Sequence, residues 1–243
     1  MKQLLMALLI MRLFCESWFF RRKIRYLVVV IVGIVFLLIP LDGYAYKDGD
    51  WQYWNTESIK VKINDKLHVY IEEEFHFGDD VEEFYYQHSH LQLDFKLNDW
   101  FTFSPAYRQV FELSAIDDWY TEYRPMLNGT VKFKLGDWSV SDRIRGSYRM
   151  FNIDKKDVWR IRNKIKIKTP FRFTLLGINP WMADEIFVER YKTGVYRNRL
   201  YIGVGFNVIK QIKGDIFYLW QSSEKEGEWI DCNVVGTKLK LYF

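Results

Sequence analysis

Four histidines and a column of arginines are the side chains in this sequence with chemistry to offer. His68, His76, His88 and His90 are all of its histidines, and they fall within 23 residues of one another. Glu72 and Glu74 lie between the first two of them, His68 and His76. If 67–77 and 84–97 are neighbouring strands that pair Phe77 with Tyr85, then Glu74 stands opposite His88 and Glu72 opposite His90. Imidazole and carboxylate together could ligate a divalent metal or share a proton as an acid–base dyad. They also satisfy one another as a buried hydrogen-bonded network. The network is the reading carried forward, with no metal, no cofactor and no catalytic residue assigned.

The second group is cationic. Arg143, Arg145, Arg149, Arg160, Arg162, Lys164, Arg197 and Arg199 recur at even spacings that put them on one side of extended chain. The acids of matching parity are Glu72, Glu74, Asp94, Glu112, Glu122 and Glu185. Paired, these charges would fill and brace an interior. Unpaired, the bases would line a track for acidic solutes, because rings of charge set pore selectivity. His88-Ser89-His90 raises a hydrolase as a third option, but adjacent residues point to opposite faces, which separates Ser89 from both imidazoles.

What must position these groups is a set of strands. Residues 67–77 alternate Leu67, Val69, Ile71, Phe75 and Phe77 against His68, Tyr70, Glu72, Glu74 and His76, and only Glu73 breaks the apolar side. The same period of two runs through 51–63, 84–97, 101–113, 119–135, 138–151, 158–168, 195–208 and 228–243, with less regular stretches at 181–189 and 215–221. Tight turns are expected at 64–66, 98–99, 136–137 and 169–170, and longer connections at 78–82, 114–118, 152–156, 191–194 and 222–227. Trp51, Trp119, Trp138, Trp159, Trp181 and Trp229 collect near strand ends, as an interfacial girdle requires. The fold expected is all-β: a single up-and-down antiparallel transmembrane barrel of 10–12 strands. Eleven segments are legible, and an antiparallel wall with both ends at one rim needs an even number, which favours twelve.

The N-terminal region has a different character. Arg21, Arg22, Lys23 and Arg25 precede fourteen apolar residues, 26–39, and the small-residue site Gly43-Tyr44-Ala45. Positive, apolar, small is the order of a secretory signal, so 1–45 is expected to be a signal peptide cleaved after Ala45, with the barrel over 46–243. As a helix the apolar run reaches roughly 21 Å, short of a ~30 Å hydrocarbon core. Met11 is a second candidate start. Cys15 would leave with the signal, so the mature chain keeps one thiol, Cys232.

Aromatic residues make up 19% of the 243 residues and charged residues 27%, a mix that suits a wall with one oily and one ionic face. A formal charge of +4 without a basic tail or helix excludes a nucleic-acid partner. The final stretch alternates to its last residue, with Leu241 and Phe243 on the apolar side. That ending resembles the C-terminal strand of bacterial outer-membrane barrels, where a terminal Phe is the usual signal to the barrel-assembly machinery. The Trp51 run, Glu72-Glu73-Glu74, Arg160-Ile161-Arg162-Asn163, Asp184-Glu185-Ile186-Phe187 and Arg197-Asn198-Arg199 together resemble the uncharacterised bacterial family called domain of unknown function 2490, over about 50–243. The resemblance implies an outer-membrane barrel and carries no activity. A structural envelope barrel with an ion-paired lumen is the first functional expectation, with outer-membrane lipid as its partner. A narrow Arg-lined pore for small acidic solutes or oligosaccharides is the alternative, and an outer-membrane lipid hydrolase the third.

Overall fold

The computed structural model describes residues 48–114, 118–225 and 227–243. The expected signal peptide, 1–45, lies outside the described residues. The described chain forms β1 (Asp50–Lys62), β2 (Leu67–Gly78), β3 (Glu83–Lys96), β4 (Phe101–Leu113), β5 (Trp119–Leu135), β6 (Trp138–Phe151), β7 (Val158–Lys168), β8 (Asn179–Glu189), β9 (Val195–Asn207), β10 (Ile212–Lys225) and β11 (Glu228–Tyr242). Each strand pairs antiparallel with its sequence neighbours, and β1 closes the barrel against β11.

That closure is parallel, from Asp50 opposite Cys232 to Lys60 opposite Tyr242. It corrects the parity argument for twelve strands. A parallel seam lets an odd number close, at the cost of putting the two ends of the wall on opposite rims. Phe243 extends the seam by backbone bonds alone: its N–H donates to Lys60 O at 2.9 Å, and its carbonyl accepts from Lys62 N at 2.7 Å. Leu241 lies between Ile59 and Ile212.

Alternation sorts the side chains as expected. Leu91, Ile144, Ile161, Leu200 and Ile202 are exposed on the outer face, while His88, Asn128 and Glu185 are buried on the inner one. The outer band is not purely apolar. Glu57 and Glu73 stand opposite each other on it. Other outer polar groups are tied across strands: Ser89 Oγ donates to Glu73 (3.0 Å), Asn163 Nδ2 to Asp142 (2.6 Å) and Asn198 Nδ2 to Asp184 (2.6 Å).

Four details depart from the sequence reading. A bulge at His76/Phe77 pairs Phe77 with Phe84 rather than Tyr85, so Tyr85 and Tyr86 both turn inward; below it the Glu74–His88 and Glu72–His90 register stands as expected. Trp181 is not a girdle residue: it is 4% exposed and packs inside, because it shares the parity of Ala183 and Glu185. The 169–178 connection is long and contains its own bridge, Phe173 to Ile178, since Pro170 has no amide with which to extend β7. Finally, the expected contrast between tight and long rims is lost. At the rim where β11 ends, the connections are 63–66, 97–100, 136–137, 169–178 and 208–211; at the far rim they include 79–82, 152–157 and 190–194.

The inner face is also not wholly polar. Trp54, Trp181, Ala183, Tyr201, Phe217, Leu219, Cys232 and Val234 form a buried apolar cluster on β8–β11 and β1. Burial of each large side chain contributes about 1.5–3 kcal/mol, so this cluster clamps the parallel seam from within. Glycine makes the space. A Cβ on Gly203 would lie 2.7 Å from both Ile216 O and Phe217 Cβ, and one on Gly236 would enter the Phe217 ring. Gly146 has open space around it. Gly203→Ala is therefore expected to lower the unfolding free energy by about 1–3 kcal/mol, and Gly146→Ala to change it by less than about 0.5 kcal/mol, as read by urea titration in lipid vesicles.

Candidate functional site: a basic lumen

The inward side chains enclose a cavity of about 1170 Å³. Lys96, Asp99 and Tyr242 line it at the rim where β11 ends, and Ser114, Lys192 and Glu224 at the far rim. Among the described lining residues, Lys and Arg outnumber Asp and Glu by nearly two to one.

Glu122, Glu185, Asp94 and Asp215 organise part of this charge. Glu122 is clamped by Arg124 (2.6 and 2.7 Å) and Arg149 (2.8 and 2.9 Å), and Arg149 also reaches Glu189 at 2.8 Å. Glu185 accepts from Arg162 (2.8 and 3.1 Å), Arg143 (3.2 Å) and the Tyr201 hydroxyl (3.0 Å), with Lys164 Nζ at 3.6 Å. Asp94 holds Lys60 at 2.5 Å, and Asp215 holds Lys240. The β2–β3 wall has its own set: His88 Nε2 is 3.2 Å from Glu72, His76 Nε2 is 2.8 Å from Glu74, and Arg108 donates to Glu72 at 3.2 Å.

Of the residues singled out in the sequence, Glu72, Glu74 and His88 come together, with His90 beside them, and Arg143, Arg162 and Glu185 form a second group. Arg145, Arg160, Arg197 and Arg199 reach no carboxylate within ion-pair distance among the described residues. Arg145 Nε donates to Asn128 (2.5 Å), Arg197 Nε to Ser223 (2.9 Å) and Arg199 Nε to Gln221 (2.7 Å). Arg160 has a long bond to Tyr196 (3.4 Å), and its Nε has no partner.

The register makes the imbalance sharper. Arg145 stands directly opposite Arg162, Arg143 opposite Lys164, and Arg108 opposite Arg124. Like charges in facing positions destabilise a sheet. Aromatic faces offset some of that cost: Arg162 and Arg199 lie 4.5 and 4.9 Å from the Phe187 ring centre. Arg199 also covers Trp54 at 4.7 Å, and Trp54, His76 and Tyr86 continue the stack at 3.9 and 4.2 Å. This row narrows the lumen between the β8–β9 wall and β1–β3.

Sequence reading missed Glu122 with Arg124 and Arg149 as a unit, and Tyr201. Glu122 and Arg124 share a face two residues apart, so that pair had a local signal. Arg149 joins strands on both of its sides, which only the folded wall reveals. Ser89 bonds Glu73 on the outer wall, on the opposite side of β3 from His88 and His90, so the two imidazoles and the hydroxyl do not meet.

These features define a closed β-barrel whose cavity is lined by more basic than acidic side chains. The chain belongs to the family described as "Protein of unknown function (DUF2490)", which matches residues 51–230. No curated protein matches it by sequence. A solved structure described as "KdgM porin" is similar over 77% of this chain and 96% of its own, at 12% identity and a TM-score of 0.44.

Glu185, 1% exposed, is the counter-charge for three cations. Glu185→Gln is expected to cost about 3–5 kcal/mol, the range for leaving buried charge without its partner, again by urea titration. Charge-neutral Asn163→Ala on the outer face should cost much less.

Proposed function

We propose that this chain is an integral outer-membrane barrel that acts as a narrow, anion-preferring pore for small acidic solutes or oligosaccharides. The carrying observation is the row of facing like charges on β4–β7. A barrel built only to brace its wall has no use for Arg145 against Arg162, whereas a lumen that draws anions does. A cavity lined at both rims supports passage rather than a closed pocket. The exposed apolar rows on the outer face support lipid as the surrounding medium, since an aqueous protein rarely shows such a continuous band. The C-terminal strand ending in Leu241 and Phe243 is the segment offered to the assembly machinery. No chemistry on the solute is assigned.

A structural envelope barrel is the second reading. The stack from Phe187 through Arg199 and Trp54 to Tyr86 favours it, because that row occupies lumen space.

Planar-bilayer recording separates the two. Steady openings are expected, with a reversal potential in a KCl gradient on the chloride side. In the double variant Arg145→Ala, Arg162→Ala, the anion-to-cation permeability ratio should fall by at least about two-fold. Electrical silence from protein shown to be folded would leave the structural reading in its place.

A further inference from the structure

Glu72 and Glu74 project into the lumen from one strand, and His88 meets them from the next. One ligand atom from each lies within 4.8 Å of the others. Both carboxylates are oriented in the same way. Glu72 Oε2 accepts from the Tyr70 hydroxyl and Glu74 Oε2 from Thr56 Oγ1 (3.0 Å), which leaves the Oε1 of Glu72 between His88 and Arg108 and that of Glu74 between His76 (2.8 Å) and His88. Those atoms lie 3.2 Å from His88 Nε2 and 3.8 Å from His88 Nδ1, respectively. Donors bound to one zinc-class ion at about 2.0–2.2 Å are separated by roughly 3–4 Å, so the set, with one His88 nitrogen and a span of up to 4.8 Å, closes with side-chain shifts of about 1 Å.

The charges point the same way. Glu72 has one cation in contact, Arg108, through a single 3.2 Å bond, and the Arg108 Nε has no partner. Glu74 contacts only imidazoles within ion-pair distance among the described residues. Two partly buried carboxylates against one contacting guanidinium leave local negative charge, offset only at longer range by Lys238 and Arg199. An independent feature lies next to them. His90 is 3% exposed and directly opposite Glu72 in the register, and its Nδ1 has no hydrogen-bond partner. Its Nε2 faces the Gln92 amide oxygen at 3.3 Å, so Nδ1 is the lone-pair nitrogen of the ring, buried with nothing bonded to it.

We propose that Glu72, Glu74 and His88 bind a divalent transition-metal ion of the zinc class on the β2–β3 wall, as three protein ligands that leave a further position open. Tyr70 and Thr56 orient the carboxylates from behind, the role such hydroxyls have around protein metal sites. Arg108 is the cation the metal displaces from Glu72. Mixed carboxylate and imidazole donors favour zinc, cobalt or nickel over calcium or magnesium. The proposal does not depend on whether the barrel conducts.

The test is isothermal titration of ZnCl2 into the full chain, folded in detergent, free of any affinity tag and stripped with chelator. One ion per chain is expected. Glu74→Gln and His88→Gln should each weaken binding at least ten-fold, in line with the 10–100-fold lost when groups around a metal site are removed. His68→Gln should bind as the parent does, and Arg108→Gln more tightly. No saturable binding by folded parent protein, or equal binding by Glu74→Gln and His88→Gln, overturns the proposal. If either variant fails to fold, Co2+ added to the parent decides: visible bands of a nitrogen- and oxygen-ligated ion support the site, and their absence at saturating Co2+ overturns it.

Discussion

Full closure of the sheet is the constraint on which this structure depends. An open sheet leaves rows of amide and carbonyl groups unsatisfied at two edges, and no lipid group can satisfy them. Here the last edge is removed by the β1–β11 ladder, the one parallel pairing in the wall. Parallel pairs are slightly weaker per residue than antiparallel ones. The apolar cluster from Trp54 to Trp181 lies behind this seam and strengthens it where the backbone contributes least. Gly203 and Gly236 belong to the same arrangement, since their missing side chains admit Phe217 and Trp181.

Once the wall is closed, every second residue is committed to the interior, and the interior becomes a charge problem. Glu122 and Glu185 solve it locally by each holding two or more cations. Elsewhere the solution is indirect: amide and hydroxyl acceptors for Arg145, Arg197 and Arg199, and ring faces for Arg162 and Arg199. None of these removes the positive sign. Two regions of opposite character result, a cationic β6–β9 wall and a β2–β3 wall where carboxylate and imidazole dominate. The outer face shows the complementary economy. Its polar groups Ser89, Asn163 and Asn198 bond to carboxylates beside them, which lowers the cost of placing Glu73, Asp142 and Asp184 among apolar neighbours.

Much of the wall was legible because a period of two is a local property. The face assignments of β2, β3, β7 and β11 follow from single stretches, and so does the Glu72–His90 and Glu74–His88 register, because one hairpin sets it. What was hidden depends on distant segments. The bulge that turns Tyr85 inward reflects its bond to Gln52 on β1. The inward side of Trp181 follows from its parity, but the room for its ring depends on Gly203, a strand away. The strand count was read as eleven segments and then adjusted by a parity rule that assumes antiparallel closure; nothing in β1 or β11 alone announces that they run side by side. Ion-pair choice was the least legible. Arg149 selects Glu122 and Glu189, 27 and 40 residues away, over nearer acids.

The parallel seam also fixes where the wall starts and stops. Asp50 and Glu228 share one rim, while Lys62 and Phe243 share the other. In a bilayer, the first and last wall residues would therefore face different compartments. A reporter group joined just ahead of Asp50 and one joined behind Phe243 would be reachable by impermeant reagents from opposite sides. Short linkage of the two ends into a circular chain would have to pass through the lumen, which sets this barrel apart from even-stranded ones, whose ends lie together.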